Sequence, residues 1–425
     1  MSTLTELMRD VADHQPEDGF TDPTSLTALG RSRLRRRRTT VGVIAAAVVA
    51  LVVAPFAIHA TAGPEPASPT GKVIQLDQAV PGVAGRDYTT LSSVTSGMLH
   101  VGAGHLSTQG ELPDGRLVVA LVNAKGTAYL RHGGVLDPAT GSVAWFPARD
   151  VGLYLGRDGD LLVFGTPNVG GGNLNTAPDH PYQVYDLSTG AWRSLPANRT
   201  VDLEWGGGRQ SQVVSDGMLY VALDTAPTRP LWRVPLDGSS GWKQVGTVGA
   251  FGVGAGSLVF TNTVGPGQHT ITVRDLATGS THTVEASFIA RRCSADRIGV
   301  STAYLALSVA CSAPGNADRL VILTHSGTRL ASVDATYLEP TAVTDSVVGF
   351  SIPNPPGPGL HKAAASQGYG GYLYHPATGR LVRLSTQAAV MGPFTLPADP
   401  LQLWHYGNYP HDRPGRVIFD VVVPR

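Results

Sequence analysis

The sequence has few charged residues, few cysteines and no excess of charge of either sign, and each shortage excludes a class of protein. Only 15% of the 425 residues are charged and 42% are hydrophobic, so the chain is too apolar for a disordered protein. Basic and acidic residues number 32 each, so no overall field attracts nucleic acid or an acidic substrate. The 51 glycines and 31 prolines indicate many turns and argue against a mostly helical fold.

Residues 39–58, TTVGVIAAAVVALVVAPFAI, contain no ionisable side chain. A helix of this length would be about 30 Å long, which matches the hydrocarbon core of a bilayer. Six arginines lie within residues 31–38 directly before the run, and residues 63–70 after it contain none. The positive-inside rule therefore predicts a single-pass plasma-membrane protein with its N-terminus in the cytoplasm and its C-terminal domain outside.

A cleaved signal peptide is the alternative for this run, because Ala60, Thr61 and Ala62 form an A-x-A site just after it. Signal peptides usually have a short basic region and an apolar core of about 7–15 residues. Here these segments have 38 and 20 residues. The lengths favour an uncleaved anchor, which makes membrane lipid a partner of the chain.

The predicted cytoplasmic tail, residues 1–38, shows signs of short helices. Thr3 and Glu6 fit a capping box, and Leu4, Leu7 and Val11 recur at helical spacing. The tail resembles those of actinobacterial single-pass proteins, including anti-sigma-like regulators, although it has no cysteine and lacks their zinc motif. A cytoplasmic regulator is therefore a candidate partner, and the alternative is a poorly ordered tail with a basic end near the membrane.

The outer part contains two cysteines, Cys293 and Cys311. A zinc site needs four ligands, and no cluster of histidines accompanies this pair. Two cysteines in an oxidising compartment are more typical of a disulfide, and a hairpin that turns near Thr302 would place them opposite each other. The alternative is two small buried thiols.

One strand–turn–strand unit recurs along the outer part of the chain. Its copies are VLDPATGSVAWFP (135–147), VYDLSTGAWRSLP (184–196), VPLDGSSGWKQVG (234–246), VRDLATGSTHTVE (273–285), ILTHSGTRLASV (322–333) and LYHPATGRLVRLS (373–385). Asp and Thr side chains can bond to backbone groups within such a turn, and Gly141, Gly190, Gly279 and Gly379 can take positive φ.

The period of this unit is about 48 residues, and another alternating strand lies between successive turns. Four-stranded units of about 40–50 residues are typical of β-propeller blades. The sequence therefore predicts an all-β fold, a propeller of about seven blades. The seventh blade would combine residues 401–406 and 416–424 with N-terminal strands near 73–76 or 98–101, which would close the ring and remove its edges.

The expected organisation is a cytoplasmic tail (1–38), a transmembrane helix (39–60), a Pro-rich linker (61–72) and a propeller domain (73–425). The unit VYDLSTGAWRSLP resembles the kelch repeat, which it matches at Tyr185, Asp186, Trp192, Leu195 and Pro196. This resemblance implies a propeller similar to membrane-anchored propeller proteins of actinobacteria, and WD-repeat-like propellers are an alternative. It implies neither kelch partners nor a galactose-oxidase type of chemistry.

Common catalytic motifs are missing from the sequence, which contains no G-x-S-x-G elbow, no H-E-x-x-H and no P-loop. We therefore assign no catalytic residue, cofactor or metal. The favoured function is a non-catalytic binding, scaffold or sensor module with a protein or glycan ligand. The alternative is an extracytoplasmic hydrolase or lyase with its active site at the propeller mouth, where convergent carboxylates or histidines would favour it.

A candidate binding face lies on the loops that join the second and third strands of the blades. Three such loops are long or distinctive, at 167–181, 353–368 and 407–414. Aromatic and amide side chains give binding area with little loss of entropy. The candidate residues are Trp404, Tyr406, Asn408, Tyr409 and His411. Metal binding by the histidines of this segment with Asp412 is the weaker alternative.

Overall fold

The structure is a computed structural model that describes residues 71–102, 104–123, 129–147, 152–165, 182–198, 201, 210–223, 229–262, 270–289, 293–311, 319–334, 339–352, 368, 370–385, 403–406 and 417–425. The predicted tail, transmembrane helix and most of the linker lie outside these residues. Nothing within the described residues forms a helix with the length and apolar character that crossing a bilayer requires.

Among the described residues, four N-terminal strands and two short 3-10 turns precede the first blade. The strands are β1 (Lys72–Ile74), β2 (Val80–Pro81), β3 (Tyr88–Thr95) and β4 (His100–Val101), and the turns are Leu76–Gln78 and Ser96–Leu99.

In the part of the chain that the structure describes, six blades of four antiparallel strands follow, and each blade uses its strands in chain order. Blade 1 contains β5 (Gly104–Glu111), β6 (Leu117–Asn123), β7 (Tyr129–Asp137) and β8 (Ser142–Trp145). Blade 2 contains β9 (Leu153–Asp158), β10 (Leu161–Gly165), β11 (Tyr182–Asp186) and β12 (Ala191–Ser194). Blade 3 contains β13 (Gln210–Ser215), β14 (Met218–Leu223), β15 (Pro230–Pro235) and β16 (Lys243–Thr247).

The second half of the chain repeats this arrangement. Blade 4 contains β17 (Phe251–Gly254), β18 (Ser257–Thr261), β19 (Thr270–Asp275) and β20 (Thr281–Glu285). Blade 5 contains β21 (Cys293–Val300), β22 (Tyr304–Cys311), β23 (Arg319–Thr324) and β24 (Arg329–Asp334). Blade 6 contains β25 (Glu339–Val343), β26 (Val348–Ile352), β27 (Gly370–His375) and β28 (Arg380–Ser385). The closing sheet consists of β29 (Leu403–Tyr406), β30 (Val417–Pro424) and β3.

The burial of each strand follows its position in the blade. Inner and middle strands such as β18 and β26 are buried on both faces, because each blade packs between two neighbours, and they read as nearly continuous apolar runs. The fourth strands are the outer ones. They are largely exposed in β16 and β20, whereas β24 and β28, which pair with N-terminal strands, are mostly buried or half-buried.

Hydrophobic clusters fill the spaces between successive sheets and close the arrangement into a ring. Phe146 of blade 1, for example, packs against Phe164, Tyr185 and Trp192 of blade 2. At the junction of the two chain ends, Val94 and Val421 of the closing sheet pack against blade 1, while Val422 packs against blade 6. The fold is therefore all-β and propeller-like, as the repeats predict.

The first strands of the blades lie innermost, since β5, β9, β13, β17, β21 and β25 contact one another in that order. Small residues permit this close approach. A Cβ added at Gly254 would lie 2.6 Å from the carbonyl oxygen of Val300, and one added at Gly252 would overlap the carbonyl oxygen of Ile298. Blades 4 and 5 thus meet through their backbones, which only glycine allows.

The two ends of the chain meet in the closing sheet, as predicted, but the N-terminal strand differs from the prediction. It is β3, at residues 88–95, and neither 73–76 nor 98–101 takes part. Instead β1 pairs in parallel with β24 of blade 5, β2 pairs in parallel with β28 of blade 6, and β4 pairs with β5 of blade 1. Residues 72–101 therefore form an N-terminal belt that extends four neighbouring sheets and covers open strand edges.

Asp87 fixes this belt to blade 6 and to the C-terminus. Its carboxylate accepts hydrogen bonds from the backbone of Val83 at 2.8 Å, from Arg86 at 2.9 Å and from Arg380 of β28. Its carbonyl oxygen accepts a hydrogen bond from the backbone of Arg425 at 3.0 Å. The side chain is buried, and the hydrogen bonds from Arg86 and then Arg380 hold the pKa of Asp87 far below its usual range.

Candidate functional site

The two cysteines form a disulfide, which confirms the prediction. Cys293 begins β21 and Cys311 ends β22, and they face each other in the register of this hairpin with Cα atoms 4.1 Å apart. The hairpin turns at residues 301–303, where the backbone of Ser301 bonds to Tyr304. The bond therefore ties the first and second strands of blade 5 at the ends away from their turn.

A propeller with these strand orders has two distinct ends. We use the name loop face for the end that carries the connections between the second and third strands. We use the name turn face for the end that carries the turns between strands one and two and between strands three and four.

Trp404 and Tyr406 lie in β29, opposite Val421 and Phe419 of β30. Asn408, Tyr409 and His411 lie outside the described residues, as do the predicted loops apart from Gly368. The predicted binding face stays a prediction.

The aspartates of the repeated turns serve the turns themselves. Asp137 accepts a hydrogen bond from the backbone of Ala139 at 2.8 Å, and Asp275 accepts one from the backbone of Thr278 at 2.7 Å. These bonds lower the pKa values of both carboxyls. The four glycines predicted to take positive φ do so, with φ angles of 67° to 73° at Gly141, Gly190, Gly279 and Gly379.

Carboxylates near the inner turns of the turn face join one blade to the next. Asp158 of blade 2 accepts a hydrogen bond from the backbone of Gly217 in blade 3. Asp345 of blade 6 accepts bonds from the hydroxyl of Thr302 and from the backbone of Ala303, both in blade 5. These carboxylates already have backbone and hydroxyl partners. In the described part of the chain, no group of three or more His, Cys, Asp or Glu side chains is arranged to hold a metal ion.

A basic cleft of about 250 Å³ lies between blades 3 and 4. Its cations are Arg233 of β15, Lys243 of β16 and Arg274 of β19. The other lining residues are Tyr220, Gln244, Val245, Leu258, Asp275, Leu276 and Gly279. The two arginines are half-buried and the lysine is exposed.

The strand register brings these cations together. Tyr220, Arg233 and Lys243 are successive partners across β14, β15 and β16, so they share the face of blade 3 that meets blade 4. Leu258 and Arg274 are partners in blade 4 and face blade 3. Tyr220 is buried, and this burial raises its pKa, while the neighbouring Arg233 acts in the opposite direction.

The predicted binding residues differ from the residues that line this cleft, although the repeated units contain a signal for it. The residue before the turn aspartate or histidine is Leu136, Tyr185 or Tyr374 in three copies of the unit, and all three side chains are buried. In blade 4 the same position holds Arg274. The two remaining copies have Leu236 and Thr324 at this position, so Arg274 is the only charged residue there among the six copies, which marks this interface as different from the others.

No known protein-family model and no curated protein matches this sequence. Solved structures with a similar arrangement include a prolyl endopeptidase, with a TM-score of 0.46 and 11% identity over 67% of this chain and 42% of that one. The CNH domain of AfRom2 has a TM-score of 0.44 and 11% identity, over 80% and 99% of the two chains. The N-terminal domain of Nup159 has a TM-score of 0.38 and 10% identity, over 84% and 100%. The chain spans less than half the length of the endopeptidase.

Proposed function

We propose that this chain is a membrane-anchored extracytoplasmic β-propeller that binds a ligand or partner and does not catalyse a reaction. The observation that carries this proposal is the use of the turn-face carboxylates. Asp158 and Asp345 bond to the neighbouring blades and Asp275 bonds to its own turn, so these acids serve the scaffold. A rigid scaffold that presents loops at one end suits binding, scaffolding or sensing.

The disulfide and the apolar run support the location. A bond between Cys293 and Cys311 suits an oxidising compartment outside the cytoplasm. The arginines before residues 39–58 favour a cytoplasmic N-terminus, so the propeller would lie outside the cell with lipid around the anchor.

The finer architecture belongs to the same proposal. The closing sheet has three strands among the described residues, and we take it as the seventh blade because it packs between blades 6 and 1. In blade 2, Tyr185 and Trp192 are cross-strand partners with ring centroids 4.9 Å apart. This contact supports the kelch-like character of that hairpin.

The orientation is tested by adding protease to intact cells that express the full chain with a C-terminal tag. We expect the tag to be lost while a cytoplasmic control protein stays intact. Full protection of the tag, with digestion only after the cells are permeabilised, would contradict this orientation.

Binding at the loop face is tested by cross-linking the full-length chain in its membrane and identifying captured proteins and glycans. We expect alanine at Trp404, Tyr406 and Tyr409 together to reduce capture of a specific partner about tenfold or more, since aromatic residues dominate many interfaces. The matched control is Trp145→Ala, which removes an exposed tryptophan from the outer strand of blade 1. If Trp145→Ala reduces capture of a partner and the triple variant does not, binding lies elsewhere than at the loop face. Turnover of a captured molecule would support the enzyme alternative.

A further inference from the structure

We propose that the basic cleft between blades 3 and 4 binds an oxyanion, a phosphate, sulfate or carboxylate group, through Arg233, Lys243 and Arg274. This inference rests on the proposed function and deepens it, because it gives the binding module a ligand class and a second site away from the loop face.

The first argument is the concentration of positive charge. The whole chain carries equal numbers of basic and acidic residues, yet the described residues that line this cleft include three cations and a single acid, Asp275. Within the described residues, no carboxylate oxygen lies within salt-bridge distance of Arg233, Lys243 or Arg274. The carboxylate of Asp275 accepts bonds from its own turn, from the backbone of Ala277 at 3.0 Å and of Thr278 at 2.7 Å.

The second argument is that two of the cations oppose each other directly. Arg233 and Lys243 are register partners on neighbouring strands, and like charges in such a position destabilise a sheet. Arg274 approaches from the next blade, so both sides of the interface present positive charge to one space. A bound anion would remove this repulsion and bridge the two blades.

The third argument is that the guanidinium group of Arg274 is held in place. Arg274 donates from Nη1 to the carbonyl oxygen of Val245 at 3.0 Å, and its guanidinium carbon lies 5.6 Å from the ring centroid of Phe260. Arg233 is the cross-strand partner of the buried Tyr220 and lies close enough to affect the pKa of its hydroxyl. An arginine has five N–H donors, so Arg274 keeps donors for a ligand while little of its side-chain freedom is lost on binding.

The size of the cleft suits a small anionic group. Its volume of about 250 Å³ is below the range of about 300–1,000 Å³ that is usual for drug-sized molecules. A small free anion fits this space, as does one anionic group of a larger molecule. Planar guanidinium groups favour oxyanions, which accept two parallel hydrogen bonds.

The test uses the purified full-length chain and three probes, inorganic phosphate, sulfate and citrate, against chloride at matched ionic strength. Equilibrium dialysis measures affinity, and the thermal midpoint reports stabilisation. We expect saturable binding of at least one probe and about tenfold weaker binding in Arg233→Gln and in Arg274→Gln, because each removes a charged hydrogen-bond donor. The matched control, Arg319→Gln in the exposed Arg319–Asp334 pair of blade 5, should bind like the wild type. Absence of saturable binding, or equal affinity in all variants, overturns the inference.

A third variant separates binding from folding. Lys243→Glu places a carboxylate opposite Arg233, so the anion-free protein should be at least as stable as the wild type while anion binding is lost. If this variant keeps wild-type affinity, the cleft is not the site. Failure of all three probes refutes the oxyanion site alone, because capture through Trp404, Tyr406 and Tyr409 is measured separately and tests the binding module itself.

Discussion

Replacing Asp87 with asparagine should loosen the junction between the N-terminal belt, blade 6 and the C-terminus. The substitution keeps the size of the side chain and one acceptor oxygen, but it removes the charge that Arg86 and Arg380 share. The carboxylate is almost completely buried, so water cannot replace the lost interactions.

The expected loss of stability depends on the buried carboxylate acceptor and on the partly exposed arginine donors. Hydrogen bonds to a charged group contribute about 1.5–3 kcal/mol each when both partners are shielded from water. The side chains of Arg86 and Arg380 are 59% and 37% exposed, which reduces that value towards the 0–1 kcal/mol of surface pairs. We expect the free energy of unfolding to fall by about 2 kcal/mol, which lowers the thermal midpoint of a propeller of roughly 350 residues by about 3 °C.

The effect should depend on pH in a defined direction. Because the pKa of Asp87 is lower in the folded state than in the unfolded chain, the carboxylate stabilises the fold above the unfolded value of about 3.9. This contribution is lost as the pH falls below 4 towards the folded pKa. The difference in the free energy of unfolding between the wild type and Asp87→Asn should be largest at pH 7 and should become smaller as the pH is lowered below 4.

Thermal unfolding of both proteins between pH 7 and pH 3 measures this gap. The matched control is Asp114→Asn, since Asp114 forms an ion pair with Arg116 at 2.7 Å in which both side chains are about half exposed. We expect the control to change stability by less than about 0.5 kcal/mol. A gap of the same size at pH 3 and pH 7, or an equal loss in the control, would refute the assigned role of Asp87.

Two further stability predictions follow from blades 4 and 5. Serine at both Cys293 and Cys311 should lower the free energy of unfolding by about 3 kcal/mol, given the sequence separation of 18 residues, and free thiols in non-reduced exported protein would contradict the disulfide. Gly252→Ala should lower the free energy of unfolding by about 1–3 kcal/mol, because the new Cβ would overlap the carbonyl oxygen of Ile298. The control is Gly241→Ala, where the added Cβ has open space around it, and we expect no change in the free energy of unfolding measured in the same way.

The repeated turns show which features can be predicted from sequence. The pattern D-x-x-T-G predicts hydrogen bonds from backbone groups to the aspartate and positive φ at the glycine, and the structure confirms both at Asp137 with Gly141 and at Asp275 with Gly279. These features depend on contacts within five residues. The hairpin that pairs Cys293 with Cys311 is also local, but a bulge between Ala295 and Arg297 shifts its register by one residue, and this shift places the two cysteines opposite each other.

The belt could not be predicted in the same way. Strands β1 and β2 have three and two residues, too few for a periodic pattern, and their partners β24 and β28 are more than 250 residues away. Pairing at such a distance depends on which sheet edges remain open once the ring has formed. The same holds for Asp87 and Arg380, whose contact exists only because the belt crosses blade 6.

The sequence by itself determined the class of fold, because six copies of a strand–turn–strand unit cannot bury their apolar faces except against one another. It also determined the turns and the disulfide, which depend on local geometry. Only the tertiary structure decided which N-terminal strand closes the ring, and that Arg233, Lys243 and Arg274 share one cleft. The reason is physical. Charged side chains of neighbouring blades come together through packing across the ring, and the sequence pattern does not give the distance between them.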